Sequence, residues 1–301
     1  YFDQVPLDSA LKNPISNYAG PYTYMLYIAK LVQRGTGNWI PDIAMIKLIN
    51  IPFELLTVYV GMLIVRYFSE DERKLFYGFS LLLFHPIILI NGAFWGQCDI
   101  IYTSMLLVSF MFLLYEKDFW SIIFFSVAVS IKFQAMFFSP LLLAFVFRKR
   151  VRWYWIGIIP LVYLMMHLPS LIAGRPLLDI IMIYFYQAGS MPALTANAPN
   201  MYQLLAGIPP FWVKTITLIG LGLTVIFGLA FSYRSAKLKL IYMPKILMLS
   251  TGNLLLLMPY IMPSMLDRYF FAAEIFLLLL ALVETRFWYF QLMVTTASLL
   301  A

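Results

Sequence analysis

Cysteine occurs once and histidine twice in this 301-residue chain, and charged residues make up only 12% of it. A single cysteine, Cys98, rules out a disulfide framework and a cysteine-rich metal site. His85 and His167 are far apart and each lies by a proline, a poor start for a zinc hydrolase. The shortage of charge is about half the usual share for soluble domains. It accompanies 62% hydrophobic residues and a mean hydropathy of +0.85. A soluble globular fold is excluded on these figures. The net charge of +7 does not point to nucleic acid, because so little polar surface remains to carry it.

What is present is a series of uncharged apolar runs separated by charge clusters. The runs are 43–65, 75–93, 100–115, 119–131, 133–147, 153–174, 213–233, 246–262, 269–283 and a last one from Phe287. At about 20 residues per crossing the length accommodates about eight to ten crossings. The expected fold is therefore an all-α polytopic membrane helical bundle of about nine to ten membrane segments. Loops 66–74, 116–118, 148–152, 234–245 and 284–286 hold thirteen of the 21 basic residues and six of the 14 acidic ones. They carry the whole excess of +7, and the positive-inside rule places them in the cytoplasm. Several runs of 13 to 16 residues reach only ~20–24 Å, short for a ~30 Å hydrocarbon core. Residues 22–33 read as an amphipathic helix within an outer segment 1–41, and 174–211 as a long outer loop containing Pro, Gly and Asn. The chain forms one integral membrane domain. It starts at Tyr1 and stops within an apolar run, so a first transmembrane helix is expected before it and more chain after it.

Ionisable groups at membrane depth are costly and mark functional candidates. On this threading they gather at the outer face: Gln97 and Asp99 at one helix end, Lys132 and Gln134 at the next hinge, Asn197, Asn200 and Gln203 in the long loop, and Asp267, Arg268 and Tyr269 at a third turn. Two acids, two bases and several amides suit a phosphate-bearing ligand that also carries a sugar. Lysine gives a point charge and arginine a bidentate fork for phosphate. Each also has a plainer reading. Asp99 can cap the helix that begins at Ile100, Lys132 can snorkel, and Asp267 with Arg268 can pair or cap a turn. Lys47, Glu54, His85 and His167 read as structural, and Cys98 as a small packing residue.

Five stretches in order carry a resemblance. They are Asn17-Tyr18-Ala19-Gly20-Pro21-Tyr22, Asn91-Gly92-Ala93-Phe94-Trp95-Gly96-Gln97-Cys98-Asp99, Lys132-Phe133-Gln134 before Ser139-Pro140, Asn197-Ala198-Pro199-Asn200, and Pro263 through Asp267-Arg268-Tyr269. Together they resemble multi-pass bacterial GT-C glycosyltransferases related to the second mannosyltransferase of GPI-anchor assembly. The resemblance implies an enzyme with its active site on the outer face of the bacterial cytoplasmic membrane. Such an enzyme moves a hexose, mannose by analogy, from a polyprenyl-phosphate donor to an acceptor hydroxyl on a glycan, lipid or protein. It implies no cofactor beyond the lipid-linked co-substrate, and no metal. Lys132 and Arg268 would hold the lipid phosphate. Gln97, Gln134, Asn197, Asn200, Asp267 and Tyr269 would line the pocket. The family's base usually lies just after the first transmembrane helix. The catalytic carboxylate is then Asp3 or Asp8, or precedes Tyr1, with Asp99 in reserve. The family's acid-or-His, Glu, Arg, Tyr pattern reads Leu266-Asp267-Arg268-Tyr269 here. A transporter or flippase of lipid-linked saccharide is the main rival, and a structural membrane subunit a third reading.

Overall fold

The computed structural model describes residues 7–12, 19–37, 39–189, 193–205 and 207–300. Among them the fold is all-α, with one pair of two-residue strands. A short α1 (Leu7–Lys12) precedes α2 (Gly20–Gly35), α3 (Asp42–Leu48), α4 (Ile51–Phe68), α5 (Glu72–Leu83) and α6 (Pro86–Ile88). A π-helical turn, Leu89–Phe94, continues α6. Then follow α7 (Asp99–Leu114), α8 (Asp118–Ile131), α9 (Ser139–Phe147), α10 (Ile158–Met166), α11 (Leu168–Ile172) and α12 (Leu177–Gly189). The chain closes with α13 (Pro210–Lys237), α14 (Pro244–Ile261), α15 (Phe271–Val283) and α16 (Trp288–Leu300).

Four helical stretches are long and apolar enough to cross a membrane: Asp42–Phe68, Glu72–Phe94, Pro210–Lys237 and Pro244–Ile261. With the composition, these make the chain a membrane protein. Five further apolar helical stretches are shorter, among them Asp99–Leu114, Asp118–Ile131 and Phe133–Phe147. Burial explains how α7 can be short: it is buried along almost its whole length, packed on α4, α8 and α15. By contrast α13 reaches ~42 Å at 1.5 Å per residue and leaves Leu218, Ile219, Val225, Ile226 and Leu229 exposed. In a membrane protein that surface faces lipid, where it costs nothing to expose.

The centre of the bundle is α15, every residue of which is buried. It packs on α14, α16, α7, α4 and α5. Small hydroxyl residues let the helices close up. The Ser109 hydroxyl donates to the Ser121 carbonyl at 2.8 Å between α7 and α8, and that of Ser232 to the Pro140 carbonyl at 2.8 Å between α13 and α9. Residues 174–211 are not simply a loop. The run Leu-Leu-Asp-Ile-Ile-Met-Ile-Tyr-Phe-Tyr folds into α12, whose Tyr184 hydroxyl donates to the Val129 carbonyl of α8 at 2.5 Å. The expected helix at 22–33 is α2, tied down through the Tyr24 hydroxyl, 2.9 Å from that of Ser170 in α11.

Candidate functional site

The chain enters the π-helical turn after His85-Pro86, where proline fixes a helix start. The turn carries Asn91 inward; the backbone then reverses through Gly96, whose φ of +65° suits glycine. Asp99 opens α7. Its N-cap is Cys98, and no side chain caps the helix. The capping reading of Asp99 is therefore set aside: its carboxylate turns instead to two side-chain partners. Asn91 Nδ2 donates to Asp99 Oδ2 at 3.0 Å, and Lys132 Nζ forms a buried ion pair with Asp99 Oδ1. Asp99 is fully buried and Lys132 is 7% exposed, so the snorkelling reading of Lys132 fails as well.

Lys132 sits where α8 ends, in an extended conformation that breaks the helix before a 3-10 turn at Phe133–Phe138. Its ammonium lies 5.4 Å from the Tyr269 ring centroid and 5.7 Å from that of Tyr102. Two ring faces and one carboxylate thus replace the water this cation loses. Tyr269 comes with Asp267 and Arg268 on a 3-10 turn, Asp267–Phe270, entering α15. Asp267 Oδ1 accepts from the Arg268 amide at 2.7 Å, so that acid shapes its own turn. Asn91, Trp95, Asp267, Arg268 and Ser298 line one small cleft.

The strand pair explains how the 193–205 segment reaches this place. Thr195 and Ala196 run parallel to Met265 and Leu266, and Asn197 bridges to Leu266 with a φ of 62°. The Ser264 amide donates to the Leu194 carbonyl at 2.7 Å. Asn197 is thereby set beside the Asp267-Arg268 turn with its side chain exposed. Asn200 is used differently: its Oδ1 accepts from the Tyr202 amide at 3.1 Å, and its side chain is buried. Among the described residues, the Gln97 and Gln134 Oε1 atoms are buried without a hydrogen-bond partner. Asp3 lies outside the described residues, and so does the side chain of Asp8.

The supports of this site include Lys47 and Glu54, expected from the sequence to be structural, and Asn50, which was not foreseen. Asn50 Nδ2 donates to the Gln97 carbonyl at 2.8 Å, holding the turn before Asp99. Glu54, one turn further along α4, packs its carboxylate directly on Gly92, leaving no room for a Cβ there. Lys47 lies against Gly96. Asn50 follows Lys47 by three residues and Glu54 follows Asn50 by four, so all three share a helix face, a signal the sequence did contain. A second polar group was also missed. Glu274 is fully buried in α15, beside the Thr295 and Ser298 hydroxyls of α16 but without a hydrogen bond of good geometry. Gln291 Nε2 donates to Thr295 Oγ1 at 3.0 Å and lies 3.4 Å from His85 Nε2. Ser298 belongs to both groups, since it also lines the cleft with Arg268.

No group of three His, Cys, Asp or Glu converges among the described residues. The chain matches no family model, no curated protein and no solved structure.

Proposed function

We propose that this chain is a GT-C-type membrane glycosyltransferase. It moves a hexose, mannose by family resemblance, from a polyprenyl-phosphate carrier to an acceptor hydroxyl on the outer face of a bacterial cytoplasmic membrane. In this reading the shorter apolar helices cross as well, giving nine to ten segments, and the basic loops face the cytoplasm.

One observation carries the reading: three stretches far apart in sequence bring Asp99, Lys132 and Tyr269 into one buried contact, with Arg268 adjoining. These stretches are the ones that resemble the family. Asp99, with both oxygens engaged and no exposure, anchors Lys132 and is ill placed to deprotonate an acceptor. Lys132 keeps N–H donors beyond the one given to Asp99, and with Arg268 it stabilises the charge that develops on the departing lipid phosphate. Gln97, Gln134 and Asn197 supply amides for hydroxyls. The carrier's tail has a neighbouring apolar groove of about 440 Å³, which starts at Phe133 and Met136 beside Lys132 and runs between α8, α9, α13 and α14. The test is transfer of labelled sugar from a polyprenyl-phosphate donor by the purified full-length protein. Lys132→Ala and Arg268→Ala should each lose activity by roughly 100-fold or more. Normal turnover in both variants would remove the phosphate assignment.

A second reading has its own observation. The Glu274, Gln291 and His85 group lies within the bundle, and the Glu72–Phe94 stretch is broken at His85-Pro86. A broken helix beside buried polar groups is what a transporter or flippase of lipid-linked saccharide would use. Scrambling of a lipid-linked sugar across vesicles, without transfer, would favour it.

A further inference from the structure

At the end of the bundle opposite Asp99 and Lys132, α7, α9 and α13 all terminate, and α8 and α14 begin. Glu116, Lys149 and Lys239 follow the three ending helices with φ near 57°, so each turns the chain without a glycine. The turns enclose a cleft of about 360 Å³, within the range of small-molecule sites. Its floor is apolar, with Leu114, Phe145 and Leu247 buried. Its rim is charged and held in place. Arg150 makes a bidentate pair with Glu116 at 2.7 and 3.0 Å, and its guanidinium stacks 5.0 Å from the Tyr242 ring centroid. Arg152 lies 3.6 Å from Asp118 and donates to the Tyr154 hydroxyl at 3.2 Å. Lys149, on the same rim, has no carboxylate within ion-pair distance among the described residues.

The plainer account is that these cations offset the partial negative charge of helix C-termini. Arg148 does so visibly, donating from Nε to the Ala236 carbonyl at 2.6 Å. That account leaves Lys149 and the cavity unused. Exposed ion pairs add little stability, so the effect of Glu116 and Asp118 is to fix where the two guanidinium groups point.

We infer that this cleft binds the phosphate headgroup of an anionic phospholipid from the leaflet at the basic end of the bundle. Lys149 and Arg152 take the phosphate. A lipid is favoured over a free anion by the exposed aromatic side chains at the same end. Trp153, Tyr154, Trp120 and Tyr115 are all about half exposed or more, as in the belt at a membrane–water interface. Basic pockets between membrane helices are known headgroup sites. Nothing in this inference depends on the chemistry at the opposite end.

Native mass spectrometry of the detergent-purified protein tests it, with phosphatidylglycerol, phosphatidylcholine and inorganic phosphate as separate probes. The expected result is retention of phosphatidylglycerol over phosphatidylcholine by roughly tenfold or more. That preference should be lost in Lys149→Gln/Arg152→Gln and kept in Lys149→Arg/Arg152→Lys. It should also be kept in Arg73→Gln/Lys74→Gln, which removes the same charge from another loop. Equal retention of the two lipids, or an unchanged preference in the first variant, would overturn the site. Competition by inorganic phosphate at equal concentration would overturn the lipid assignment.

Discussion

Replacing Asp99 by Asn leaves the Lys132 ammonium buried at 7% exposure, with its one carboxylate gone. The size and shape of the side chain hardly change, and Asn91 keeps a partner at position 99. What is lost is charge compensation. Breaking a buried ion pair from one side costs about 3–5 kcal/mol. The faces of Tyr102 and Tyr269 recover only part of this. Lys132→Met costs a similar amount by stranding the carboxylate. Asp99→Asn combined with Lys132→Met buries no charge, and should cost only about 1–2 kcal/mol. The coupling energy in the cycle is then about 4 kcal/mol or more. At about 2 °C per kcal/mol for a chain of this size, each single variant should unfold roughly 6–10 °C lower in detergent, and the double variant roughly 2–4 °C lower. Thermal denaturation followed by intrinsic fluorescence reads this directly. Single variants within 1 °C of the parent, or a double variant equal to the sum of the singles, would refute the argument that the pair is buried and coupled.

Three further outcomes follow from the supports of the site. Gly92→Ala forces the Glu54 carboxylate aside and should lower stability by about 1–3 kcal/mol, while adding Glu54→Ala should restore most of it; urea or thermal midpoints of the pair check this. Asn50→Ala strands the Gln97 carbonyl at a cost of about 1–3 kcal/mol, and hydrogen exchange at the turn before Asp99 should rise. Tyr202→Phe removes the hydroxyl that donates to the Ile261 carbonyl at 2.8 Å, which should cost about 0.5–1.5 kcal/mol and loosen the 193–205 segment by limited proteolysis.

The all-α character and several helix bounds were plain in the sequence because charge and hydropathy act locally. The run 119–131 is α8 at Asp118–Ile131, and 133–147 spans the 3-10 turn and α9, since charge clusters and Pro140 set those ends. Residues 177–186 escaped because the prolines and glycines around them outweighed an apolar run of ten with one acid. Lys132 and Asp267-Arg268 stood out as ionisable groups near membrane depth. Their contact could not be read, because nothing local pairs position 99 with position 132 or either with 269. The role of Asp99 was missed for a related reason: at a helix start, cap and ion-pair partner look alike until a cation is seen beside it. Glu274 sits inside Phe-Ala-Ala-Glu-Ile-Phe-Leu, where one acid reads as an interruption of a crossing. Its polar neighbours, Thr295 and Ser298, come from α16, which is remote in sequence.

The most direct measurement is a single assay on the full-length protein in vesicles, supplied with a labelled hexose on polyprenyl phosphate and a sugar acceptor. The account predicts labelled product that requires the lipid donor and disappears in Lys132→Ala and Arg268→Ala. Product formed from a nucleotide sugar with no lipid donor, or scrambling of the lipid-linked sugar without any product, would contradict it.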